Sequence, residues 1–237
     1  MKNKTLQQIL ESIKVMDSCI QIDKLIFPIK ELIGQGYHKQ VFEIDDKENN
    51  KVIKIIRKDS LNLESALFSF QQIIERQNIL GDFGVNYAKI ISFDKNGPPY
   101  RFLIQEKIPK DGISAVELIK NKTLDENDIS QMAKIINKFE LGKKWQIDTS
   151  PFNWFRVNGQ MICTDGSVYK YDEKWSFKNV GLLQWLDSKF IFSTDKQSTK
   201  IPSVADAEKL SKEWESLNTK EIKWWKKYLD PKVQPKS

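Results

Sequence analysis

The order in which strand and helix patterns follow one another is the feature that most constrains the fold of this chain. Up to residue 106 strand patterns dominate, with one long helical pattern among them; after residue 106 the long periodic patterns are helical. Strands that come first and helices that come later indicate an α+β fold. The predicted strands cover residues 25–34, 41–44, 51–57, 86–93 and 100–106, and the predicted helices cover residues 5–16, 62–80, 125–141, 203–217 and 220–229.

This segregation predicts two lobes. The first, residues 1–106, would hold the N-terminal helix, a glycine-containing loop, a five-stranded antiparallel sheet and the long helix. The second, residues 107–237, would be a reduced and mainly helical lobe. A chain of 237 residues, of which 40% are hydrophobic, is long enough to bury a core in such lobes.

The composition excludes several classes of site. The one histidine, His38, rules out a histidine-rich metal site, and Cys19 and Cys163 do not have a metal-ligand spacing. No apolar run approaches the roughly 20 residues that span a membrane. The amphipathic N-terminus lacks the apolar core of a signal peptide. We therefore expect a cytoplasmic protein, and delivery into a host cell stays open as an alternative.

The net charge of +6 suits a polyanionic ligand such as a nucleotide, although a solvated lysine surface explains it equally well. The segment KEIKWWKKYLDPK near the C-terminus places two tryptophans among lysines, a pattern that would allow stacking on nucleic-acid bases. However, Ile222, Trp225 and Leu229 fall at helical spacing, which favours packing of this helix on its own lobe. Nucleic acid is therefore not an expected partner.

The stretch DTSPFNWFRVNGQMICTD, residues 148–165, is predicted to form a β-hairpin around the turn Asn158-Gly159. Asn153 and Asp165 lie at equal distances from position 159, so they would face each other with Cβ atoms about 5 Å apart. An amide and a carboxylate oxygen at that separation suit Mg²⁺, which prefers hard oxygen ligands. Asp148, in a proline-containing loop, would accept a proton from a hydroxyl group. Ordinary turn and capping chemistry is the alternative for all three.

Three features of the first lobe indicate phosphate binding. Gly34 and Gly36 lie between two strands, where backbone N–H groups can approach an anion. Lys54 lies in KVIKIIR, a strand that is apolar on both faces, so its ammonium group needs an anion. Glu75 on the long helix would supply one, and Glu64 is the competing partner. The alternatives are a plain glycine turn, an edge-strand lysine and a solvated glutamate.

The glycine turn, the strand lysine, the helix glutamate, the D-x-x-x-x-N motif, the hairpin and the final aspartate occur in one order along the chain. This order resembles the protein-kinase-like superfamily, which includes the aminoglycoside and choline kinase branches. The resemblance covers roughly residues 29–170. It implies a two-lobed kinase-like fold and phosphotransfer that depends on ATP and Mg²⁺.

The resemblance assigns roles to residues of the first lobe. Gly34 and Gly36 would cover the ATP phosphates, and Val41 would pack on the adenine. Lys54 would bind the α- and β-phosphates while paired with Glu75.

It assigns the remaining roles in the same way. In FLIQEKIP, Gln105 would lie at the back of the nucleotide pocket, and the backbone from Glu106 to Ile108 would hold the adenine edge. In the second lobe, Asp148 matches the catalytic aspartate. Asn153 and Asp165 match the two metal-binding residues.

The chain also departs from the family pattern. Gln146 and Ile147 stand where histidine and arginine usually precede the aspartate, so activation by a phosphorylated loop in the usual way is not expected. Ser150 replaces a common lysine, and D-F-G reads Asp165-Gly166-Ser167. These features indicate a compact, divergent kinase of the kind found among bacterial kinases and secreted effectors. Its short, basic C-terminal part favours a protein Ser/Thr acceptor; a small-molecule kinase and a pseudokinase binding module are the alternatives.

Overall fold

In the computed structural model of this protein, the structure describes residues 6–36, 38–48, 50–58, 63–186 and 218–230. The chain divides into two compact units, the first comprising residues 1–75 and 88–109 and the second residues 76–87 and 110–237. The predicted α+β class is confirmed, because an antiparallel sheet precedes a group of helices. None of the described helices is both long and apolar enough to cross a membrane. The helix predicted at residues 203–217 lies outside the described residues.

The first unit is built on a seven-stranded sheet in which all neighbouring strands run antiparallel. The order across the sheet is β1-β2-β3-β4-β5-β7-β6. The strands are β1 (Ile13–Val15), β2 (Cys19–Ile22), β3 (Leu25–Gln35), β4 (Lys39–Ile44), β5 (Lys51–Ile56), β6 (Ile90–Phe93) and β7 (Phe102–Glu106).

The prediction of a five-stranded sheet was wrong, because it did not include the strands β1 and β2. The N-terminal helix, α1 (Leu6–Glu11), ends before the predicted residue 16, and the chain then enters the sheet. Ile13 fits the helical spacing of the sequence, but it also pairs with Ile22 across β1 and β2. Ile13, Ile20 and Ile22 are fully buried in the first core. Burial on one face of the sheet therefore overrides the local helical period.

The long helix, α2 (Leu63–Asp82), confirms the prediction for residues 62–80. The part of α2 that belongs to the first unit buries five apolar side chains in the core of that unit. They pack in one cluster with Ile53, Ile55 and Leu103 of the sheet, and they are Ala66, Leu67, Phe70, Ile73 and Ile74.

A buried ionic network joins the N-terminal strands to the other end of the sheet. The Arg101 Nε donates to Asp94 Oδ2 over 2.6 Å, and its Nη1 donates to Asp23 Oδ2 over 2.5 Å and to Ser12 Oγ over 3.0 Å. Arg101 and Asp94 are both buried. Since an unpaired buried charge is costly, these partners hold one another in place.

The second unit combines helices with two small sheets. A three-stranded sheet has the order β11-β10-β8, and a two-stranded sheet pairs β9 with β12. Its strands are β8 (Ile113–Ser114), β9 (Trp145–Ile147), β10 (Trp154–Val157), β11 (Gln160–Cys163) and β12 (Val168–Lys170). Its helices beyond the end of α2 are α3 (Ala115–Lys120), α4 (Glu126–Leu141), α5 (Leu182–Leu186) and α6 (Lys220–Leu229), with single helical turns at Pro151–Asn153, Glu173–Trp175 and Phe177–Gly181.

Two predicted helices of this unit are confirmed. Asp125 caps the N-terminus of α4 in a capping box with Asp128, and Gly142 follows its last residue. In α6, Ile222, Trp225 and Leu229 are buried, as the packing interpretation predicts. The Asn137 side chain of α4 donates to the Tyr228 carbonyl over 2.9 Å, so α6 is bound to α4 through its backbone as well.

Candidate functional site

The first unit arranges three candidate residues in a row across neighbouring strands. Gly34 of β3 pairs with Val41 of β4, and Val41 pairs with Lys54 of β5, which in turn pairs with Leu103 of β7. Residues that are directly paired in a sheet present their side chains on the same face. The sheet register therefore places the candidate glycine, valine and lysine next to one another.

Lys54 lies in a strand that is buried on both faces, as its sequence predicts. Val52 to Ile56 are all buried, and only 6% of Lys54 is exposed. Because an ammonium group loses its hydration there, Lys54 is suited to an anionic partner rather than to water.

The turn between β3 and β4 is tight, and its backbone takes part in the hairpin. The Gly36 N–H donates to the Lys39 carbonyl over 2.8 Å, and the Gly36 carbonyl accepts a bond from Arg57 Nη1 over 2.7 Å. The Gly36 N–H is thus bound within the turn, and it does not have the free orientation that the sequence analysis expected of a phosphate-binding amide. Gly34 lies inside β3, where an added Cβ would meet Val41 only at an ordinary 3.8 Å.

The residues from Gln105 to Ile108 end β7 and continue beyond it. The Gln105 side chain is buried and donates to the Ala88 carbonyl over 2.6 Å. The Glu106 N–H donates to the Lys89 carbonyl over 3.0 Å, and the Lys107 N–H donates to the Asn50 carbonyl over 2.7 Å. Ile108 lies past these bonds.

The two glutamates that the sequence offers as partners of Lys54 both lie on α2. Glu75 is exposed, and its Oε1 accepts a bond from Gln71 Nε2 over 2.9 Å on the surface of α2. Glu64, the competing candidate, is exposed as well. Gln72, one residue before Ile73, is instead only 3% exposed, and its Oε1 accepts no hydrogen bond from the described residues. A buried oxygen without a donor calls for a functional explanation. The sequence analysis missed Gln72 because an uncharged glutamine carries no signal in a helical pattern.

In the second unit, backbone hydrogen bonds hold Asp148 beside the segment that follows the hairpin. The two-stranded sheet pairs Ile147 with Val168, and the Asp148 N–H continues it by donating to the Ser167 carbonyl over 3.0 Å. Asp148 Oδ1 accepts a bond from the Ser150 N–H over 2.9 Å, which fixes the side chain in a local turn. Asp148 is half-buried and so remains accessible to a reactant.

The predicted hairpin is confirmed, but its register differs by one residue from the prediction. Asn158 and Gly159 both have positive φ, 50° and 74°, as a two-residue turn of this type requires. The centre of the turn lies between these two residues, so Trp154 pairs with Cys163. The Thr164 N–H donates to the Asn153 carbonyl over 2.8 Å, and Asp165 lies one position beyond this pair. Asn153 and Asp165 are therefore not opposite each other in the ladder.

The three polar candidates of this unit are still brought together, by loops rather than by the ladder. Asn153 ends the single turn of 3-10 helix before β10 and is bonded to Thr164, the neighbour of Asp165. Asp165 Oδ1 accepts a bond from Ser167 Oγ over 3.2 Å, and the Ser167 carbonyl binds the Asp148 N–H. This chain of contacts gathers Asp148, Asn153 and Asp165 at one end of the hairpin.

Two glycines permit close packing around these loops. A Cβ on Gly166 would lie 2.1 Å from Leu80 Cδ1, and a Cβ on Gly181 would lie 2.5 Å from Thr149 Oγ1. No other residue fits either place without a shift of its neighbours. A side chain in place of Gly166 would therefore require the buried Leu80 side chain at the end of α2 to move.

Two buried tryptophans support the Asp148 loop, and the sequence analysis did not identify either of them. Trp154 Nε1 donates to the Asp148 carbonyl over 3.2 Å, and Trp185 Nε1 donates to the Thr149 carbonyl over 2.7 Å. Both indole rings are at most 1% exposed. Two buried side chains therefore bind the carbonyl groups of Asp148 and Thr149. Their sequence signal, a tryptophan next to a polar loop, is too common to identify such a role.

The acidic side chain of Glu140 binds the backbone of the helical turn Phe177–Gly181. Glu140 Oε1 accepts a bond from the Phe177 N–H over 2.7 Å, at the start of the helical turn that carries Gly181. Burial raises the pKa of the Glu140 carboxyl group above its ordinary value, although the bond from Phe177 and the charge of Lys178 oppose this rise. The ionised form of Glu140 thus carries a cost in the folded protein.

The donor set at the end of the hairpin fits Mg²⁺ better than a softer metal. It offers the carboxylates of Asp148 and Asp165 and the amide of Asn153, which are all hard oxygen donors. Among the described residues there is no group of three or more His, Cys, Asp or Glu side chains that would enclose a metal by itself. A metal bound here would keep positions for water and for phosphate oxygens, as Mg²⁺ commonly does.

Comparison with known proteins supports the fold and does not give a family. No family model matches the chain, and no curated protein matches it. The structure of APH(2'')-IIia, an aminoglycoside kinase, in complex with GDP and kanamycin matches with a TM-score of 0.51 and 10% identity, over 85% of this chain and 91% of that one. The crystal structure of WbdD matches with a TM-score of 0.48 and 12% identity over 87% of this chain, which spans about half of WbdD (51%). The match to APH(2'')-IIia shows a kinase-like fold, as predicted.

Proposed function

We propose that this protein is a phosphotransferase that uses ATP and Mg²⁺ and moves the γ-phosphate to a hydroxyl group. The gathering of Asp148, Asn153 and Asp165 at the end of one hairpin supports this proposal most strongly. A proton acceptor and two oxygen ligands for a cation are the groups that this chemistry needs, because phosphoryl transfer depends on positioning and on charge stabilisation. The kinase-like fold supports it independently.

Each candidate residue has one role in this proposal. Asp148 accepts the proton of the attacking hydroxyl group, and Asn153 and Asp165 hold Mg²⁺, which neutralises developing charge on the phosphate oxygens. Lys54 binds the α- and β-phosphates. Glu75 keeps the role of a lysine partner only as a prediction, since it is exposed and bonded to Gln71.

The nucleotide is held by residues of the first unit. Val41 packs on the adenine, Gln105 limits the depth of the pocket, and the backbone from Glu106 to Ile108 binds the adenine edge. Gly34 and Gly36 shape the turn over the phosphates, and the hairpin bond of the Gly36 N–H means that this turn contributes shape more than free donors.

The acceptor that we favour is a protein Ser/Thr side chain. The described C-terminal helix α6 is short and lysine-rich, unlike the acidic cleft expected for a cationic aminoglycoside. A small-molecule acceptor is the second candidate, because the matching APH(2'')-IIia structure contains kanamycin.

The test is to incubate the purified protein and Mg²⁺ with ATP labelled either at the γ- or at the α-phosphate. The acceptors are a cell lysate and, separately, kanamycin. We expect only the γ-label to move, and Asp148→Asn to slow its transfer by about 10²- to 10⁴-fold, the usual contribution of a general base. Asp172→Asn, which changes an exposed aspartate of the same unit, is the matched control.

Three results would contradict parts of the proposal. Movement of the α-label would indicate nucleotide transfer instead of phosphotransfer. ATP binding without any transfer would favour the pseudokinase alternative. Labelling of kanamycin, with none of any protein, would assign the small-molecule acceptor.

A further inference from the structure

A groove in the second unit combines apolar walls with a rim of positive charge. It lies between the C-terminal ends of α2 and α4 and the start of β9, and it encloses about 510 Å³. Ligand-binding clefts commonly measure about 300–1,000 Å³. None of the residues proposed for phosphotransfer lines this groove.

The walls of the groove are aromatic. Phe83 and Phe139 stack with their ring centroids 4.4 Å apart and their planes 24° from parallel. Ile79 and Trp145 complete the walls. Phe139 is buried, whereas Ile79, Phe83 and Trp145 are only partly buried, so part of this apolar surface faces the groove.

The rim of the groove is basic. Lys144 Nζ and Arg76 Cζ lie 5.7 Å and 5.0 Å from the centre of the Trp145 ring. Lys138 crosses the end of α2 and donates one of its three N–H groups to the Phe83 carbonyl over 3.1 Å. Lys170, the direct partner of Trp145 in the register of β9 and β12, and Arg76, whose Nη1 donates to the Val168 carbonyl over 2.8 Å, lie outside the lining itself. Among the described residues that line the groove, Asp82 is the only acidic one.

We propose that this groove is a docking site for an acidic peptide segment that carries one large apolar side chain. The apolar side chain would lie between Phe83, Phe139 and Trp145, where burial removes it from water. Carboxylates on either side of it would bind the cation of Lys144 and the remaining N–H groups of Lys138 through charge-assisted hydrogen bonds. The two lysines outnumber the single Asp82 carboxylate in the lining, which favours an acidic partner over a neutral or basic one.

This site goes beyond the proposed phosphotransfer. Its test measures binding alone, so a failure here leaves the proposed reaction untouched, and an inactive protein leaves this site untouched.

The experiment measures fluorescence anisotropy of labelled peptides with the full-length protein. The acidic peptide EDEFLEDE is compared with EDEAAEDE, which lacks the apolar pair, and with KKKFLKKK, which reverses the charge. We expect EDEFLEDE to bind at least about tenfold more tightly than either, and to lose affinity as the salt concentration rises because exposed charges are screened.

Variants of the rim assign this binding to the groove. Lys144→Glu should weaken binding of EDEFLEDE by more than about tenfold, and Lys144→Met, which removes the charge without reversing it, should have a smaller effect. Lys223→Glu, a charge reversal at an exposed position of α6, is the matched control and should leave the affinity within about twofold. Equal effects of Lys144→Glu and Lys223→Glu would overturn the proposal.

Two further arms test other occupants. A single-stranded oligonucleotide that competes as well as EDEFLEDE, or equal binding of EDEAAEDE, would show that only charge is recognised and would overturn the apolar docking site. Binding to vesicles of phosphatidylserine and phosphatidylcholine that is lost in Lys144→Glu would assign the groove to a membrane surface instead. Vesicle binding that is unchanged in this variant would leave the peptide as the occupant.

Discussion

The two units of this protein hold their candidate residues by different means. In the first unit, Gly34, Val41 and Lys54 take their places from the register of a sheet, in which many backbone hydrogen bonds act together. In the second unit, Asp148 lies in a loop that a few separate bonds hold, among them one from the buried Trp154 indole to its carbonyl group.

This difference predicts different sensitivities to mutation. The backbone bonds of the sheet, and no single side chain, position Gly34, Val41 and Lys54. A substitution at one of these residues should therefore remove the function of that residue and little else. In the loops, the loss of one supporting bond leaves a buried carbonyl group without its partner and allows the backbone to shift. Mutation of a supporting residue should therefore impair catalysis in the second unit more than in the first.

After Asp148→Asn, the next largest effect should come from Lys54→Met. A hydrogen bond to a charged group contributes about 1.5–3 kcal/mol, so we expect transfer to slow by roughly 10- to 100-fold. Stability should change little, because the methionine stem fits the buried strand. Lys51→Met, in the same strand, removes a half-buried ion pair with Asp46 and is the control. Equal rates for the two variants, measured with labelled ATP, would show that the row is not a phosphate site.

A smaller effect, of about tenfold in kcat, should follow from Trp185→Phe. This variant keeps most of the ring but removes the N–H that binds the Thr149 carbonyl, a loss of about 1–2 kcal/mol. Trp225→Phe is the matched control, since the Trp225 Nε1 is buried without a hydrogen-bond partner in the described structure. Steady-state rates should show a fall in kcat with little change in KM for Trp185→Phe alone. The same loss in both variants would mean that general packing, and not loop support, is responsible.

Substitution of Gln72 should give an effect of a few-fold. Its Oε1 is buried without a hydrogen-bond donor in the described structure, so if this oxygen accepts a bond when nucleotide is bound, Gln72→Leu should weaken ATP binding by about three- to tenfold, the loss of about one hydrogen bond. Glu75→Leu, at an exposed position, should change binding by less than twofold. Titration calorimetry measures the ATP affinity of both variants. A larger loss of affinity in Glu75→Leu than in Gln72→Leu would support the predicted pairing of Glu75 with Lys54.

The smallest effect concerns the pH dependence of stability. Because burial raises the pKa of Glu140, the folded protein holds this proton more tightly than the unfolded chain does, and Glu140 stabilises the fold as pH falls through its raised pKa. Hydrogen bonds from Lys227 and Tyr228 lower the pKa of Glu126, so its contribution is present above its ordinary value of 4.5 and is lost as pH falls.

Glu140→Gln should therefore raise stability near neutral pH relative to acid pH, and Glu126→Gln should do the reverse. Unfolding in urea, followed by tryptophan fluorescence at several pH values between about 4 and 8, measures both. If the free energies of unfolding of the two variants changed with pH in the same way, the opposite pKa shifts assigned to Glu140 and Glu126 would be contradicted.

The sequence allowed those features to be predicted that depend on local patterns. The helices α2, α4 and α6 and the hairpin turn at Asn158-Gly159 follow from periodicity, capping residues and turn chemistry. The burial of Lys54 could also be predicted from the sequence, because both faces of its strand are apolar.

The features that were missed depend on pairing between distant segments. β1 joins the sheet although Ile13 also fits a helix, and only the partner strand decides between the two. The one-residue error at Asp165 arose from placing the centre of the turn on Gly159 instead of between Asn158 and Gly159. The bonds from Trp154 and Trp185 to the Asp148 loop need the folded chain, since nothing in the local sequence indicates where an indole N–H will point.

The most direct test of the proposed division of roles is ATP binding with and without Mg²⁺, measured by titration calorimetry on the wild type and on Asp165→Asn. If the sheet residues bind the nucleotide and the hairpin residues bind the metal, both proteins should bind metal-free ATP with equal affinity. Mg²⁺ should then increase the affinity of the wild type and leave that of Asp165→Asn nearly unchanged. An equal gain from Mg²⁺ in both proteins would contradict the metal role of Asp165, and with it the proposed reaction.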